Sequence, residues 1–362
     1  MGTNLLMAVG VLEQARHRLR ILLLRHWALF FFLLSACLAT LTSRDLRLSI
    51  NTQLPLLVGL FLYVLLVDVI NTSQKLRVVT VGFALLMLAQ VMVSLRNLLL
   101  AAAEKPLESV RALDSFLLEV PNDILVLAIV MPLLLGAVWS GARCWRVLFA
   151  GCLIVALAIG EKLQSRQAVA LLLGGQMLVV TIMRPRWAVP VALLLVVLGV
   201  LLDGLSGWRL VQKIFLFPRT YVWHTAWVMF LDRPWTGQGP GLFGDIYFMF
   251  LAKAGYVLDM LPDRRPMLWA HNLYAEQLAE RGIGGLLSLF CLLCVSLFYV
   301  GRAWRQASTF SVRALSAGLF AAVAMLMIAG IAEASLSRLW VSLSLMVLAA
   351  LAVAADNIHQ QK

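Results

Sequence analysis

The chain has 362 residues, of which 62% are hydrophobic and only 13% charged, with a formal net charge of +12. A soluble domain of this length is nearer 45–50% apolar and roughly 25% charged, so composition excludes an ordinary water-soluble fold. The positive charge does not point to nucleic acid, because no soluble basic domain is present to bind it; positive-inside loop bias and contact with anionic lipid account for much of it.

The apolar residues come in blocks of roughly 17–22, the length that crosses a ~30 Å hydrocarbon layer at 1.5 Å per residue. In lipid the backbone must bond internally, so each block predicts a helix. In chain order the predicted spans are 24–42, 54–70, 77–95, 122–141, 146–160, 168–183, 187–203, 285–301, 313–332 and 338–355. The fold class expected is an all-α integral membrane protein with about ten spans, a single polytopic domain over 1–362 and one large loop over 204–284. No cleavage site follows the first apolar run, so that run is read as an uncleaved span.

Counting alternately from an inside start, the inner connections carry Arg16 to Arg25, Lys75, Arg77, Arg143, Arg146, Arg184, Arg186, Arg302, Arg305, Arg313 and Lys362, with few acids. The outer connections are 96–121, 161–167, 204–284 and 333–338. Both termini are therefore predicted cytoplasmic. Cys37, Cys152, Cys291 and Cys294 lie within apolar blocks, where they read as small packing residues and not as a disulfide or metal framework.

The 204–284 loop gathers the chemistry. It holds nine of the seventeen Trp and Tyr residues, among them Trp223, and eight Lys or Arg residues, including Arg219, Arg264 and Arg265. Its aromatics suit either a membrane-interface belt or stacking on sugar faces. The stretch 243–261 is expected to lie as a helix in the interface plane. Pro234–Gly241 reads PWTGQGPG, which excludes a regular helix and predicts a tight turn whose N–H groups approach a partner, with Gly239 and Gly241 central to it. Gly282, Gly284 and Gly285 permit close packing just before the eighth span.

Between the two glycine clusters lies HNLYAEQLAERG, residues 271–282, a short helical pattern. His271 reads as a candidate general base or as a hydrogen-bonded interfacial histidine. Arg166 opens the sixth span on the outer side. It either snorkels to the interface or offers a planar fork of donors to phosphate oxygens.

Together, Arg219 with Trp223, PWTGQGPGLF, HNLYAEQLAERGIGG and SRQAVALL around Arg166 resemble the signature of the O-antigen ligase and polymerase superfamily. His271-Asn272 followed by Gly282-x-x-Gly285 resembles its ligase motif. The sequence departs from that pattern at Leu171, one place later than the family's leucine, and in keeping only Ser288 after the second glycine. The resemblance implies a multi-span, lipid-dependent glycosyltransferase fold in the bacterial inner membrane. It implies transfer of O-antigen or a related glycan from undecaprenyl diphosphate to lipid A-core on the periplasmic face. Arg166 and His271 would be catalytic; Arg219, Arg264, Arg265, Asn272, Trp223, Gly239 and Gly241 would bind diphosphate or sugar. The absence of an Asp-x-Asp pair predicts no metal, and no cofactor is expected; the partners are the donor, the acceptor and membrane lipids. The alternatives are a polymerase of the same superfamily, a protein O-glycosyltransferase and, from a different class, a lipid or polysaccharide transporter. The last is disfavoured by the scarcity of ionisable residues deep in the spans.

Overall fold

A run of Leu, Val and Ala with no polar period has two fates, facing lipid or being enclosed by other helices, and packing alone separates them. The computed structural model describes residues 26–104, 125–139, 143–162, 166–190, 192–193, 197, 219–261, 264, 266–332 and 335–360. Among these residues every regular element is helical, and five helices are long and apolar enough to cross a membrane. The protein is an all-α membrane protein.

In chain order the helices are α1 (His26–Leu41), α2 (Leu46–Thr52), α3 (Leu54–Val69), α4 (Ser73–Glu104), α5 (Val126–Val138), α6 (Arg143–Lys162), α7 (Arg166–Met183), α8 (Thr220–Asp232), α9 (Phe243–Lys253), α10 (Leu273–Gln306), α11 (Phe310–Ala332) and α12 (Leu339–Gln360). Of the expected span 187–203 only 187–190, 192, 193 and 197 are described, and the loop segment 204–218 lies outside the described residues. Two boundaries differ from expectation. The third span is expected to end at residue 95, but α4 continues to Glu104 through a run of helix formers, Leu98 to Ala103. The eighth is expected to start at 285, but α10 starts at Leu273 and carries the HNLYAEQLAERG pattern into the span, with non-helical geometry at Gly282 (φ 65°, ψ −163°).

The interior belongs to α5 and α12. Within the apolar stretch of α12, 94% of residues are buried, against 17% for the stretch formed by α2 and α3, so the latter faces lipid on most sides. α3 turns Leu56, Gly59 and Tyr63 inward. A Cβ at Gly59 would come within 2.8 Å of the Met346 side chain, so α3 sits closely on α12. α5 is short, holds Pro132 and is enclosed on nearly every face. Gly136 and Gly318 let its backbone touch that of α11: a Cβ at Gly136 would lie 2.5 Å from the Ala314 carbonyl oxygen. Small residues permitting this approach replace the hydrophobic effect as the source of association in lipid. Near the other end, Arg302 donates to both carboxylate oxygens of buried Asp356, tying α10 to α12.

The polar segment forms its own small core. Tyr221, Val222, Ala226 and Met229 of α8 meet Phe243, Tyr247, Phe250 and Leu251 of α9, with Ala270 and Ala279 closing the base. The helix expected over 243–261 therefore stops at Lys253, before Gly255 (φ 81°), and its Phe243–Leu251 face is covered by protein. Phe248 and Met249 remain exposed.

Candidate functional site

The site is assembled where three connections meet at one end of the bundle: α1–α2, the lobe leading into α10, and the turn before α12. Asp232 joins the first two. Its carboxylate accepts from Arg44 Nη2 at 2.7 Å and Lys253 Nζ at 3.1 Å, and also from Gln238 Nε2 at 3.2 Å. Partial burial pushes this carboxyl up. The hydrogen bonds from Lys253 and Gln238 and the charges of Lys253 and Arg44 outweigh that effect and hold it below its ordinary value of 3.8.

The glycine turn has a structural explanation in the kink of α10. Breaking the helix at Gly282 deprives preceding carbonyls of helical donors, and buried carbonyls need partners. The turn supplies them: Gln238 N–H donates to Ala279 C=O at 2.9 Å, and Gly239 N–H to Glu280 C=O at 3.0 Å. In return Ile283 N–H donates to Pro234 C=O at 2.8 Å. Gly237, Gly239 and Gly241 all have positive φ. A Cβ at Gly239 would strike Ser43 Oγ at 2.0 Å, and one at Gly241 Thr52 Oγ1 at 2.2 Å. The expected tight turn is present, and the Gly239 N–H is engaged by the protein's own α10.

His271 stands at the entrance to α10. Asn272 caps the helix, its side-chain oxygen accepting from Tyr274 N–H at 3.0 Å and Ala275 N–H at 3.1 Å. His271 is the only described non-glycine residue with positive φ, at 51°. Such a conformation costs on the order of 1–3 kcal/mol and persists only where its surroundings impose it. Here Trp269 Nε1–H donates to His271 Nδ1 at 3.2 Å. The face of Trp269 in turn lies 4.2 Å from the guanidinium carbon of Arg338. Arg338 is only 7% exposed, and a desolvated cation on an indole face is worth about 2 kcal/mol.

The turn carrying Arg338 is fastened to α10. Ser335 Oγ donates to Glu276 Oε1 at 2.6 Å, and Arg338 N–H donates to Ser335 C=O at 3.2 Å. Below His271, Glu276, Gln277, Glu280 and Arg281 are all buried. Glu280 accepts from Phe243 N–H at 3.2 Å, and Arg281 donates to Gln53 Oε1 at 3.0 Å. Glu276 Oε2, both Gln277 side-chain polar atoms, and Nε and Nη1 of Arg281 have no hydrogen-bond partner among the described residues.

The other sequence-predicted residues are placed as follows. Arg166 is the first residue of α7, and its side chain lies outside the described residues. α7 runs antiparallel to α11, with Gly175 against Met325 and Val179 among Ala317 and Ala321. Arg166 therefore falls toward the Ala332 end of α11. That end also holds Gly330, which abuts Leu273 and Tyr274 just after His271. The backbones of Arg166 and His271 thus share one end of the bundle. Arg219 opens α8, where its carbonyl accepts from Val222 and Trp223 N–H groups. Trp223 packs half-buried on the lobe core. Arg264 pairs with Asp259 at 3.3 Å on an exposed stretch, and Arg265 lies outside the described residues.

Sequence reasoning passed over Arg338, Trp269 as a partner of His271, and the buried Glu276, Gln277, Glu280 and Arg281. The i, i+4 recurrence of Glu276 with Glu280 and of Gln277 with Arg281 was the available signal. Among the described residues, no group of three or more His, Cys, Asp or Glu side chains is placed to hold a metal ion. Comparison with known proteins adds no family: no family model matches the chain, and no curated protein matches it significantly.

Proposed function

We propose that the protein is a polyprenyl-diphosphate-dependent glycosyltransferase of the O-antigen ligase type. In this reading it crosses the bacterial inner membrane about ten times, with both termini cytoplasmic and the 204–284 lobe periplasmic. The observation that carries the reading is His271, held in a left-handed backbone conformation beside half-buried Trp269 and the buried Arg338 stacked on it, at the bundle end where α7 begins with Arg166. Strained non-glycine backbone clusters at functional sites. Here it coincides with the motif residue that the sequence singles out.

The chemistry asked of such a site is modest. A diphosphate is a good leaving group, and fixed guanidinium groups stabilise the charge that develops on it. Arg166 and Arg219 are the candidates to hold the donor diphosphate, with Arg264 or Arg265 reaching it from the lobe. His271 would face the reacting oxygens. The exposed aromatic surface of the lobe, Trp227 and Trp235 above all, suits the headgroup region beside a lipid-linked donor.

The test is transfer in proteoliposomes. A defined undecaprenyl-diphosphate glycan is offered with either lipid A-core or a second donor molecule as acceptor. Glycan on lipid A-core supports the ligase reading. Glycan lengthened on a second donor supports the polymerase. No product with either acceptor refutes both.

A further inference from the structure

We propose that Trp269 and Arg338 are positioning residues that keep the proton of neutral His271 on Nε2, so that the ring serves the departing diphosphate as a hydrogen-bond donor and not the acceptor hydroxyl as a base. The proposal rests on the reading of His271 as the ring that faces a glycosyl diphosphate.

The tautomer follows from the donor inventory. An indole N–H only donates. Trp269 Nε1 lies 3.2 Å from His271 Nδ1, so Nδ1 presents its lone pair there. A neutral imidazole carries one proton, which is then on Nε2. A protonated Nδ1 would set two donors against each other across that distance.

Three features hold the arrangement. The positive φ of His271 folds its ring back onto the residue two places earlier. Arg338, buried with its guanidinium carbon 4.2 Å over the Trp269 ring, fixes the plane of the indole and so the direction of its N–H. The Arg338 turn is itself tied to α10 through Ser335 and Glu276, one turn below His271. The hydrogen bond that one ring nitrogen makes sets which nitrogen carries the proton.

The transfer step balances without a protein base. The bond between the sugar's anomeric carbon and the diphosphate oxygen breaks, and its electron pair stays on that oxygen. The acceptor oxygen forms the new bond to the anomeric carbon. The acceptor's proton passes to the departing diphosphate, directly or through water. His271 Nε2–H bonds to the diphosphate oxygen as charge collects there, and the ring is neutral before and after.

The experiment uses full-length protein labelled with ¹⁵N-histidine in detergent, at a pH where the ring is neutral. A His271→Asn spectrum identifies the His271 signals. The expected wild-type spectrum shows Nδ1 as the unprotonated nitrogen and Nε2 as the N–H. Trp269→Phe keeps a ring for Arg338 but removes the donor, and its two ring-nitrogen shifts should move toward each other as the tautomers mix. In the transfer assay Trp269→Phe should lower kcat by about 10–100-fold with little change in the donor KM, the size of effect seen when the partner that orients a metal-ligating histidine is lost. Arg338→Lys should move both readouts in the same direction by less. A wild-type Nδ1–H overturns the proposal without recourse to any variant. So does a folded Trp269→Phe protein whose ring shifts and kcat equal wild type. If the spectra behave as expected but wild-type protein transfers glycan to neither acceptor, the glycosyltransferase reading fails and the diphosphate role of Nε2–H fails with it, while the tautomer assignment stands.

Discussion

Replacing Gly282 by alanine should destabilise the junction between the glycine turn and α10, and the cost can be worked from the local geometry. Gly282 sits at φ 65° and ψ −163°, a region essentially restricted to glycine, where another residue costs roughly 1–3 kcal/mol. The new Cβ would also lie 2.6 Å from the Pro234 carbonyl oxygen and from backbone atoms of Trp235. Those atoms belong to the turn that caps the Ala279 and Glu280 carbonyls, so they cannot retreat without breaking those hydrogen bonds. Overpacking of this kind costs about 1–3 kcal/mol more. The sum, roughly 2–6 kcal/mol, is a large share of the 5–15 kcal/mol typical of a native protein. Gly284 is the control. Its Cβ would find only the Trp235 carbonyl oxygen, at 3.9 Å, and alanine there gains up to about 1 kcal/mol of helix propensity. The assay is thermal unfolding in detergent followed by tryptophan fluorescence. Gly282→Ala should melt several degrees lower, and Gly284→Ala at or slightly above wild type. Equal melting of Gly282→Ala and wild type would refute the interlocked turn and kink.

Arg166→Lys, which keeps the charge but loses the planar fork, should reduce transfer at least tenfold by kcat/KM; wild-type turnover would mean that charge alone is needed there. His271→Ala should leave lipid-linked polymer made but unattached to core, read on a surface-polysaccharide gel, and normal attachment would remove His271 from the site. Transfer should be unchanged after chelation with EDTA, since the site proposed uses arginines for charge stabilisation; a loss restored by Mg²⁺ or Mn²⁺ would contradict this. Asp232 has a depressed carboxyl pKa in the folded state, so its contribution is complete above its ordinary value of 3.8 and is lost as pH falls through the lower folded value. Because Arg44 and Lys253 are partly exposed, the effect should be no more than about 1 kcal/mol. It should appear as an acid-dependent drop in melting temperature below pH 3.8 that Asp232→Asn abolishes.

The candidate site was legible unevenly. His271 stands out as a histidine of the polar loop that begins the HNLYAEQLAERG pattern and its Gly282-x-x-Gly285 sequel, and the glycine turn stands out because PWTGQGPG cannot be helical. The use of that turn was not legible. Its N–H groups meet carbonyls freed by a kink more than forty residues later in the chain, and no local pattern encodes that pairing. The resemblance implies a diphosphate- or sugar-binding role for Asn272, and its side chain caps α10. Arg338 was hidden for a different reason. Its short SLSRLW turn resembles any arginine at a span end until Trp269 is found beneath its guanidinium.

Composition by itself determined that the chain lies in a membrane and is helical, because apolar runs of this length leave the backbone no other way to satisfy its hydrogen bonds. The order of the residues separated the polar segment from the spans, and it was the resemblance of the motifs around His271 and Arg166 that marked those two. Which spans are enclosed was decided only by tertiary structure. The stretch formed by α2 and α3 is as apolar as α12, yet one faces lipid and the other is buried. Lipid tails and neighbouring side chains are equally favourable surroundings for Leu and Val, so hydrophobicity cannot rank them. Small-residue contacts such as Gly136 with Gly318 and Gly59 with Met346 do. The same packing brings the starts of α7, α10 and α12 to one end of the bundle, and the stack of Arg338 on Trp269 beside His271 exists only there.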